Sequence, residues 1–169
     1  AEERAIAAMH QHKAAAQEAG ATRGYAFATS AMRSTSNGQQ VADRIEKETG
    51  IPVNIIDGDQ EAAFIAGGVA QAWPTCKESR LIMDIGGGST EFVLLEEDTV
   101  HFSASYPLGV TRLMERFSPQ DPMTEEDHRR IWDHMDDMLA QLWEALDSLP
   151  CQTLIGSSGS FDTLFNVAA

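Results

Sequence analysis

Two apolar segments joined by a run of three glycines constrain the fold of this chain more than any other feature of its sequence. The stretch is LIMDIGGGSTEFVLL, residues 81–95, and its charged residues are Asp84 and Glu91, one on each side of the turn. Short apolar runs bounded by a glycine turn predict two buried strands that form a hairpin. A turn alone does not need two flanking carboxylates, so the hairpin is also a candidate site.

The residues after the glycines exclude the two commonest phosphate-binding motifs. A Walker loop has the form GxxxxGK[ST] and enters a helix, and here both the lysine and the helix are missing. A dinucleotide fingerprint needs a third glycine that opens a helix, but position 91 is Glu and a strand follows. What remains is a hairpin whose backbone N–H groups can bind phosphoryl oxygens, because no Cβ blocks the approach. Asp84 can then hold Mg2+ against the same phosphate, directly or through water.

A second turn rich in glycine and serine, GSSGS at 156–160, follows a predicted strand and precedes a predicted helix. The backbone N–H groups of such a turn, and those of the helix N-terminus, can bind an anion. By itself this turn is equally well explained as a helix cap. Two such turns in one chain favour a site that binds phosphate groups.

Helices and strands alternate along the first part of the chain. Residues 1–20 predict an amphipathic helix that ends at Gly20. The segments 25–29 and 51–56 predict strands, and each is followed by a helix, an order that favours parallel pairing. We expect Asn37 to cap the first of these two helices, which ends at Gly50.

The second part of the chain predicts more strands and one long helix. RLIMDI, EFVLLEE and TVHFSASY predict an antiparallel set of three strands. Thr124 and Asp127 resemble a capping box, and apolar residues recur every three or four positions from Ile131 to Leu149, which predicts a single helix. The strand CQTLIG and a helix after the second turn follow. The fold class predicted is α/β, a mixed sheet with flanking helices.

Composition limits the partners of the chain. Its 169 residues suffice for one domain with its own core, and 12 basic against 26 acidic residues give a net charge of −14. This charge argues against long-range attraction to nucleic acid or to anionic membranes, and no apolar run reaches the length of a membrane span. An anionic substrate stays compatible with it where a divalent metal ion or a local arginine offsets the field.

The cysteines and histidines indicate a reduced protein without zinc. Cys76 and Cys151 are far apart, and neither belongs to a CxxC pair. With no export signal, we expect two reduced thiols in a cytoplasmic protein. The five histidines make no metal-binding pattern, so zinc chemistry is not expected.

Five segments of the chain resemble, in the same order, those of the exopolyphosphatase and guanosine pentaphosphate phosphohydrolase family. The resemblance covers essentially the whole chain, and its most specific parts are DIGGGSTE and ATSAMR. The segments are ATSAMR (28–33), GDQEAAFIAGGV (58–69), DIGGGSTE (84–91), YPLGVTRL (106–113) and IGSSGSFDTL (155–164).

This resemblance implies a ribonuclease H-like lobe of the kind found in actin, sugar kinases and the seventy-kilodalton chaperone ATPases. Members of the family open with another lobe, whose first hairpin carries a phosphate loop of the form DxGxxS, and nothing in this chain matches it. We therefore expect residues 1–20 to be the end of the preceding lobe's last helix and residues 21–169 to be the second lobe. The family's active site lies in the cleft between lobes, so the missing first lobe of the same polypeptide is an expected partner.

The resemblance also implies the roles of individual residues. Glu61 matches the catalytic carboxylate that orients or deprotonates the attacking water, and Arg33 matches an arginine that binds phosphate. Asp84 and Glu91 match the positions associated with Mg2+ and the water. The remaining matches are the phosphate-binding turns, formed by Gly86, Gly87, Gly88 and Ser89 and by Gly156, Ser157, Ser158, Gly159 and Ser160. Many members have Arg two positions after the catalytic Glu, but here the position is Ala63.

Three functions fit these residues. The first is Mg2+-dependent hydrolysis of terminal phosphoanhydrides in inorganic polyphosphate or guanosine pentaphosphate, and the sequence does not choose between the two substrates. The second is a kinase or chaperone-type ATPase lobe of the same superfamily, against which the GDQEA segment argues. The third is a sensor that binds alarmone nucleotides without turnover. The sequence leaves the oligomeric state open, a homodimer included.

Overall fold

The computed structural model describes residues 2–73, 78–97 and 99–168, and the chain divides into two compact units, Ala1–Asp57 and Gly58–Ala169. Cys76 lies outside the described residues, whereas Cys151 is a half-buried free thiol. The predicted assignment of residues 1–20 and 21–169 to two lobes concerns a longer protein and stays a prediction. In the part of the chain that the structure describes, no helix is long and apolar enough to cross a membrane.

The first unit is a pair of parallel strands with three helices. Its elements are α1 (Glu2–Glu18), β1 (Ala26–Ala28), α2 (Ser30–Arg33), α3 (Gly38–Thr49) and β2 (Val53–Ile55). β1 and β2 pair in parallel, as their order with the helices predicts. Asn37 precedes α3 as expected, but the prediction that its side chain caps the helix is wrong, because its amide donates to Glu2 instead.

The second unit contains a four-stranded sheet in the order β5-β4-β3-β6. Its elements are α4 (Gly58–Ala72), β3 (Ser79–Ile85), β4 (Thr90–Glu96), β5 (Thr99–Tyr106), α5 (Val110–Phe117), α6 (Glu125–Met138), α7 (Ala140–Ser148), β6 (Thr153–Ser157) and α8 (Gly159–Ala168). β3, β4 and β5 form the predicted antiparallel set, and β6 pairs with β3 in parallel. The prediction of a mixed sheet with flanking helices is confirmed.

Helices cover both faces of this sheet. Alternate residues along each strand point to opposite sides, and both sides carry apolar side chains that need to be buried. On one face, Leu81 and Leu94 pack with Leu142 of α7. On the other face, Ile82 and Val93 pack with α4. Burial on both sides explains why β3 and β4 read as continuous apolar runs.

The predicted long helix is divided at Leu139 into α6 and α7, so the prediction of a single helix is wrong. The N–H of Leu139 is shared between the carbonyls of Met135 and Asp136, which tightens the helix at this point. Both Leu139 and Leu142 are thereby buried in the core. The capping box of Thr124 and Asp127 at the start of α6 is confirmed.

Candidate active site

The glycine turn, residues 86–89, joins β3 to β4 as the sequence predicts. The last strand pair before it is Ile85 with Thr90, and the Gly86 N–H donates to the Ser89 carbonyl at 2.9 Å. The turn is therefore closed on itself and stands at the end of the sheet.

Helix α5 holds the carbonyl groups of the glycine turn. The N–H of Val110 donates to Gly86 O at 3.0 Å, and the N–H of Arg112 donates to Gly87 O at 3.2 Å. The Arg112 side chain adds a bond from Nε to Gly88 O at 2.8 Å. The carbonyls of the turn in this way accept hydrogen bonds from N–H groups at the helix N-terminus, which have no partner inside the helix.

This arrangement decides which way the amide groups of the turn point. In a trans peptide, the C=O and the N–H of the same unit point in opposite directions. Since three successive carbonyls face α5, the N–H groups of Gly87, Gly88 and Ser89 face away from it. Among the described residues, these three N–H groups donate to no backbone carbonyl. They are therefore disposed to bind an anion, as the glycine content predicts.

Gly109 makes the contact between α5 and the turn possible. A Cβ at this position would overlap the backbone of Gly87 and Gly88. Sequence reasoning assigned no role to Gly109 or Arg112, although both belong to the matched segment YPLGVTRL. The signal that could have found them is a glycine placed between a predicted strand and an arginine three residues later.

Four polar residues form one row across the end of the sheet. Glu91 is opposite Ser105 on one side and Asp84 on the other, and Asp84 is opposite Ser157 of β6. Residues paired in this way share a face of the sheet. It is the face covered by α4, because Ile82 and Val93, two residues from Asp84 and Glu91, pack against that helix.

Glu91 is almost completely buried, with 2% of its surface exposed. Burial raises the pKa of its carboxyl group, and the negative charges of Glu61 and Asp84 raise the pKa further. Hydrogen bonds oppose these effects: Ser105 Oγ donates to Glu91 Oε1 at 2.7 Å, and the Ser89 side chain also hydrogen-bonds to the carboxyl group. The sequence thus places a carboxylate where its negative charge is costly.

Glu61 lies in the first turn of α4, which packs against β5 at Gly58. Its charge acts on Glu91, so Glu61, Asp84 and Glu91 form one acidic cluster beside the glycine turn. The structure therefore brings together the predicted catalytic carboxylate, the two predicted metal ligands and the first phosphate-binding turn. All of them belong to the second unit.

The second predicted turn lies next to the first. The hydroxyl groups of Ser158 and Ser160 both donate to the carbonyl of Ile85, the last residue of β3, at 3.1 and 2.9 Å. Gly156 lies inside β6, where a Cβ would overlap the ring of Phe161. Ser157 ends β6 and Gly159 begins α8. The serines thus fasten this turn to the strand that leads into the glycine turn.

The acidic cluster fits a hard divalent cation. Carboxylate oxygens are the ligands that Mg2+ prefers, and Mg2+ is commonly held by one or two carboxylates together with phosphate and water. Burial chiefly, and then the negative charges of Glu61 and Asp84, raise the Glu91 pKa, and a cation beside Asp84 and Glu91 would offset both effects. Among the described residues, no group of three or more His, Cys, Asp or Glu could hold a metal ion, so the site offers at most a pair of carboxylates, Asp84 and Glu91. The donor set therefore fits an ion completed by substrate oxygens.

Arg33 belongs to the first unit, at the end of α2. Its Nη1 donates to the Ile56 carbonyl at 2.9 Å. This bond links α2 to the segment after β2 within that unit. The predicted role of Arg33 in binding phosphate stays a prediction.

Comparison with known proteins identifies the family of the chain. Residues 1–169 match the family model described as the Ppx/GppA phosphatase family. Exopolyphosphatase 1 of Mycobacterium tuberculosis is 34% identical over 119 residues, which are 69% of this chain and 34% of that protein. The crystal structure of an exopolyphosphatase from Cytophaga hutchinsonii superposes with a TM-score of 0.94 at 38% identity and covers 98% of this chain and 53% of that one.

A Ppx/GppA family member from Aquifex aeolicus superposes with a TM-score of 0.76 at 29% identity and covers 99% of this chain and 53% of that one. The chain therefore spans about half the length of these two solved relatives. The predicted family is confirmed, and so is the predicted α/β fold class, a mixed sheet with flanking helices. This chain belongs to the Ppx/GppA phosphatase family.

Proposed function

We propose that this chain supplies one half of the active site of a Mg2+-dependent hydrolase that releases terminal phosphate from inorganic polyphosphate or guanosine pentaphosphate. The observation that carries the proposal is the glycine turn, whose outward N–H groups lie beside the acidic cluster. Membership in a phosphatase family and similarity to exopolyphosphatases support the same reaction. The other half of the site is the first lobe of the same polypeptide, in the cytoplasm.

The glycine turn binds the terminal phosphate in this proposal. Its oxygens accept hydrogen bonds from the N–H groups of Gly87, Gly88 and Ser89, which α5 holds in place before substrate arrives. Donors fixed in advance stabilise the charge that develops on the phosphoryl oxygens without reorganising during the reaction. Arg33 and the turn 156–160 supply further contacts to phosphate.

The acidic cluster activates water and holds the metal ion. Glu61 accepts a proton from the attacking water, or orients that water in line with the leaving phosphate. Asp84 and Glu91 hold Mg2+, which when bound neutralises charge on the phosphate oxygens. Ser105 and Ser89 keep the Glu91 carboxylate in one orientation.

The test is phosphate release by the full-length polypeptide, with polyphosphate, guanosine pentaphosphate and ATP compared side by side in Mg2+. We expect phosphate from polyphosphate or from guanosine pentaphosphate, and none when Mg2+ is removed by a chelator. Formation of ADP from ATP, with no phosphate from the other two, would instead identify a kinase or an ATPase. Binding of guanosine pentaphosphate without release of phosphate would identify a sensor.

A further inference from the structure

A pocket of about 420 Å³ lies beside α5 and α6, outside the acidic cluster. It is lined by Pro107, Arg112, Glu115, Arg116, His134 and Met138. The size is enough for a small anion with several charged groups. None of the predicted site residues belongs to this lining.

Basic side chains gather around the Phe117 ring beside this pocket; Arg116 and His134 line the pocket, whereas Phe117 and Arg130 adjoin it. The guanidinium groups of Arg116 and Arg130 lie 5.7 and 5.6 Å from the centre of the Phe117 ring. The His134 ring lies 5.3 Å from the same centre. A guanidinium within about 6 Å of an aromatic ring centre is attracted to the ring, and its N–H groups can still donate to an oxyanion.

The local charge is opposite to that of the protein as a whole. Acidic residues outnumber basic ones by 26 to 12 in the chain. The lining of the pocket contains two guanidinium groups, Arg112 and Arg116, and one carboxylate, Glu115. Arg130 lies beside the lining and pairs with Asp127, with Nη1 3.7 Å from Oδ1. Such a local excess of positive charge selects an anion even within a negative field.

One lining residue connects the pocket to the glycine turn. Arg112 donates through Nε to Gly88 O, and its backbone N–H donates to Gly87 O. An anion that accepts hydrogen bonds from the Arg112 guanidinium therefore binds the same side chain that holds the glycine turn.

We propose that this pocket, which we call the anion pocket, binds a compact phosphate-bearing anion and is linked to the glycine turn through Arg112. The recognised group is the phosphate chain, bound by Arg112, Arg116 and Arg130 with an N–H of His134 as a further donor. Binding at the anion pocket does not depend on the proposed function. Only an effect of that binding on phosphate release would rest on the proposed function.

The test is a titration of the full-length polypeptide with tripolyphosphate, without Mg2+ so that no turnover occurs. NMR signals of the His134 ring, assigned with the His134→Asn variant, report the anion pocket and not the glycine turn. We expect a saturable shift of these signals, and about tenfold or more weaker binding in Arg116→Gln and in Arg130→Gln, since each loses a charge-assisted hydrogen bond. The matched control is Arg129→Gln, an exposed arginine of the same helix that pairs with Glu126.

The outcomes separate this proposal from the proposed function. A saturable His134 shift that both variants weaken supports the pocket, even if the protein releases no phosphate from polyphosphate. No saturable shift, or equal weakening in Arg129→Gln, overturns it, even if hydrolysis is normal. GTP in place of tripolyphosphate should bind within a few-fold of the same affinity; a large preference for GTP would show that the nucleoside, not the phosphate chain, is recognised.

Discussion

At the scale of single residues, Glu91 is where stability and chemistry oppose each other. Its carboxylate is buried beside two other acids, and its raised pKa shows that the folded state disfavours the charge. A group of this kind supports the fold only while it is protonated, and this support is lost as the pH rises above the ordinary value for Glu. A buried carboxylate of this kind is explained if a cation or a substrate needs its negative charge.

The first prediction is that Glu91→Gln stabilises the protein when metal is removed by a chelator. Glutamine keeps the shape and can still accept a hydrogen bond from Ser105, but it removes the buried charge and the repulsion with Glu61 and Asp84. We expect a gain of the order of 1 kcal/mol in the free energy of unfolding at neutral pH, the usual size for a stabilising substitution. Urea unfolding with and without Mg2+ measures it, and the stabilisation by Mg2+ should disappear in the variant.

The control for this prediction is Glu96→Gln on the same strand, where the carboxylate is partly exposed and lies 3.6 Å from His101. It should leave the response to Mg2+ unchanged. If Glu91→Gln instead destabilises the chelated protein, the carboxylate is needed for packing and not for a cation.

The second prediction concerns Glu61, which lies in the first turn of α4 and contributes to the acidic cluster. Glu61→Gln should lower turnover by about a hundredfold or more, because an amide does not accept the proton of the attacking water. The circular dichroism spectrum and the unfolding midpoint should change little, since the residue is only partly buried. Asp59→Asn, an exposed acid in the same turn, is the matched control, and equal turnover in the two variants would remove Glu61 from the mechanism.

The register of single residues shows a limit of what the sequence predicts. The hairpin and the Asp84–Glu91 pair follow from the apolar runs and the glycines alone. Ser105 does not, because the pairing of β4 with β5 shifts between Leu94 and Leu95. Without that shift, Glu91 would be opposite Ala104, and a bulge of this kind has no clear signal in one sequence.

At the scale of elements, sequence reasoning missed two helices: the short α2, where Arg33 was expected in a polar loop, and α5. α5 has eight residues, and it begins with Val110 and Thr111, which are β-branched and favour helices weakly. Its first turn is stabilised by the carbonyls of the glycine turn, which lie more than twenty residues earlier in the chain. The start of α6 was predictable because its capping box is a local pattern, whereas α5 depends on a distant partner.

The third prediction tests this contact between α5 and the glycine turn. Gly109→Ala should displace the turn, because the added Cβ would overlap the backbone of Gly87 and Gly88. The backbone at Gly109 has φ of −69°, which alanine adopts readily, so the effect reports the overlap and not backbone strain. We expect a loss of about 1–3 kcal/mol in stability and at least tenfold weaker phosphate binding, measured by urea unfolding and by calorimetry.

Gly68→Ala is the control for Gly109→Ala, because a Cβ at Gly68 meets nothing within 4 Å. This substitution in the middle of α4 should raise stability slightly, as alanine favours a helix more than glycine does. Unchanged phosphate binding in Gly109→Ala would show that the turn does not depend on α5.

The fourth prediction gives the capping box a pH dependence. Asp127 accepts from Thr124 Oγ1 at 2.8 Å and from the N–H groups of Gln120 and Thr124 at 3.2 Å, and these bonds lower its pKa. A lowered pKa adds stability above the ordinary value for Asp, and this stability is lost as the pH falls through the lowered value. Asp127→Asn should therefore be less stable than the parent at pH 7 and approach it at the acid end.

Thermal unfolding between pH 7 and the acid limit of folding measures this difference. Asp133→Asn, an exposed acid on the same helix, serves as the control and should run parallel to the parent. A difference for Asp127→Asn that stays constant with pH would mean that the charge of Asp127 adds nothing to the cap.

At the scale of the whole molecule, sequence reasoning was most successful where a pattern is local or a family is recognisable. It could not show the division into two compact units after Asp57, because this depends on which distant segments pack together. Arg33 illustrates the consequence. Its predicted role joins it to the glycine turn, yet the two belong to different units, so that role depends on an arrangement that neither unit contains by itself.

The last prediction is that residues 1–169 fold but hydrolyse polyphosphate far more slowly than the full-length polypeptide. Folding is expected because the sheet of the second unit has apolar cores on both faces. Inactivity is expected because the chain spans about half the length of its solved relatives. Residues 1–169 would then supply only one side of the proposed cleft. Phosphate bound at an open turn stays in contact with water, which weakens each charge contact.

The size of the effect follows from orientation. Holding the reactants in line contributes up to about 7–11 kcal/mol in the best cases. Loss of even half of this, at roughly 1.4 kcal/mol for each factor of ten, would lower the rate by more than a hundredfold. The measurement is phosphate release from polyphosphate in Mg2+ by residues 1–169 and by the full-length polypeptide at equal concentration. Weak phosphate binding at the glycine turn should survive in residues 1–169, because it needs only the local N–H groups. This binding serves as the control that the shorter chain is folded. Turnover comparable to that of the full-length polypeptide would mean that the site does not need a second lobe.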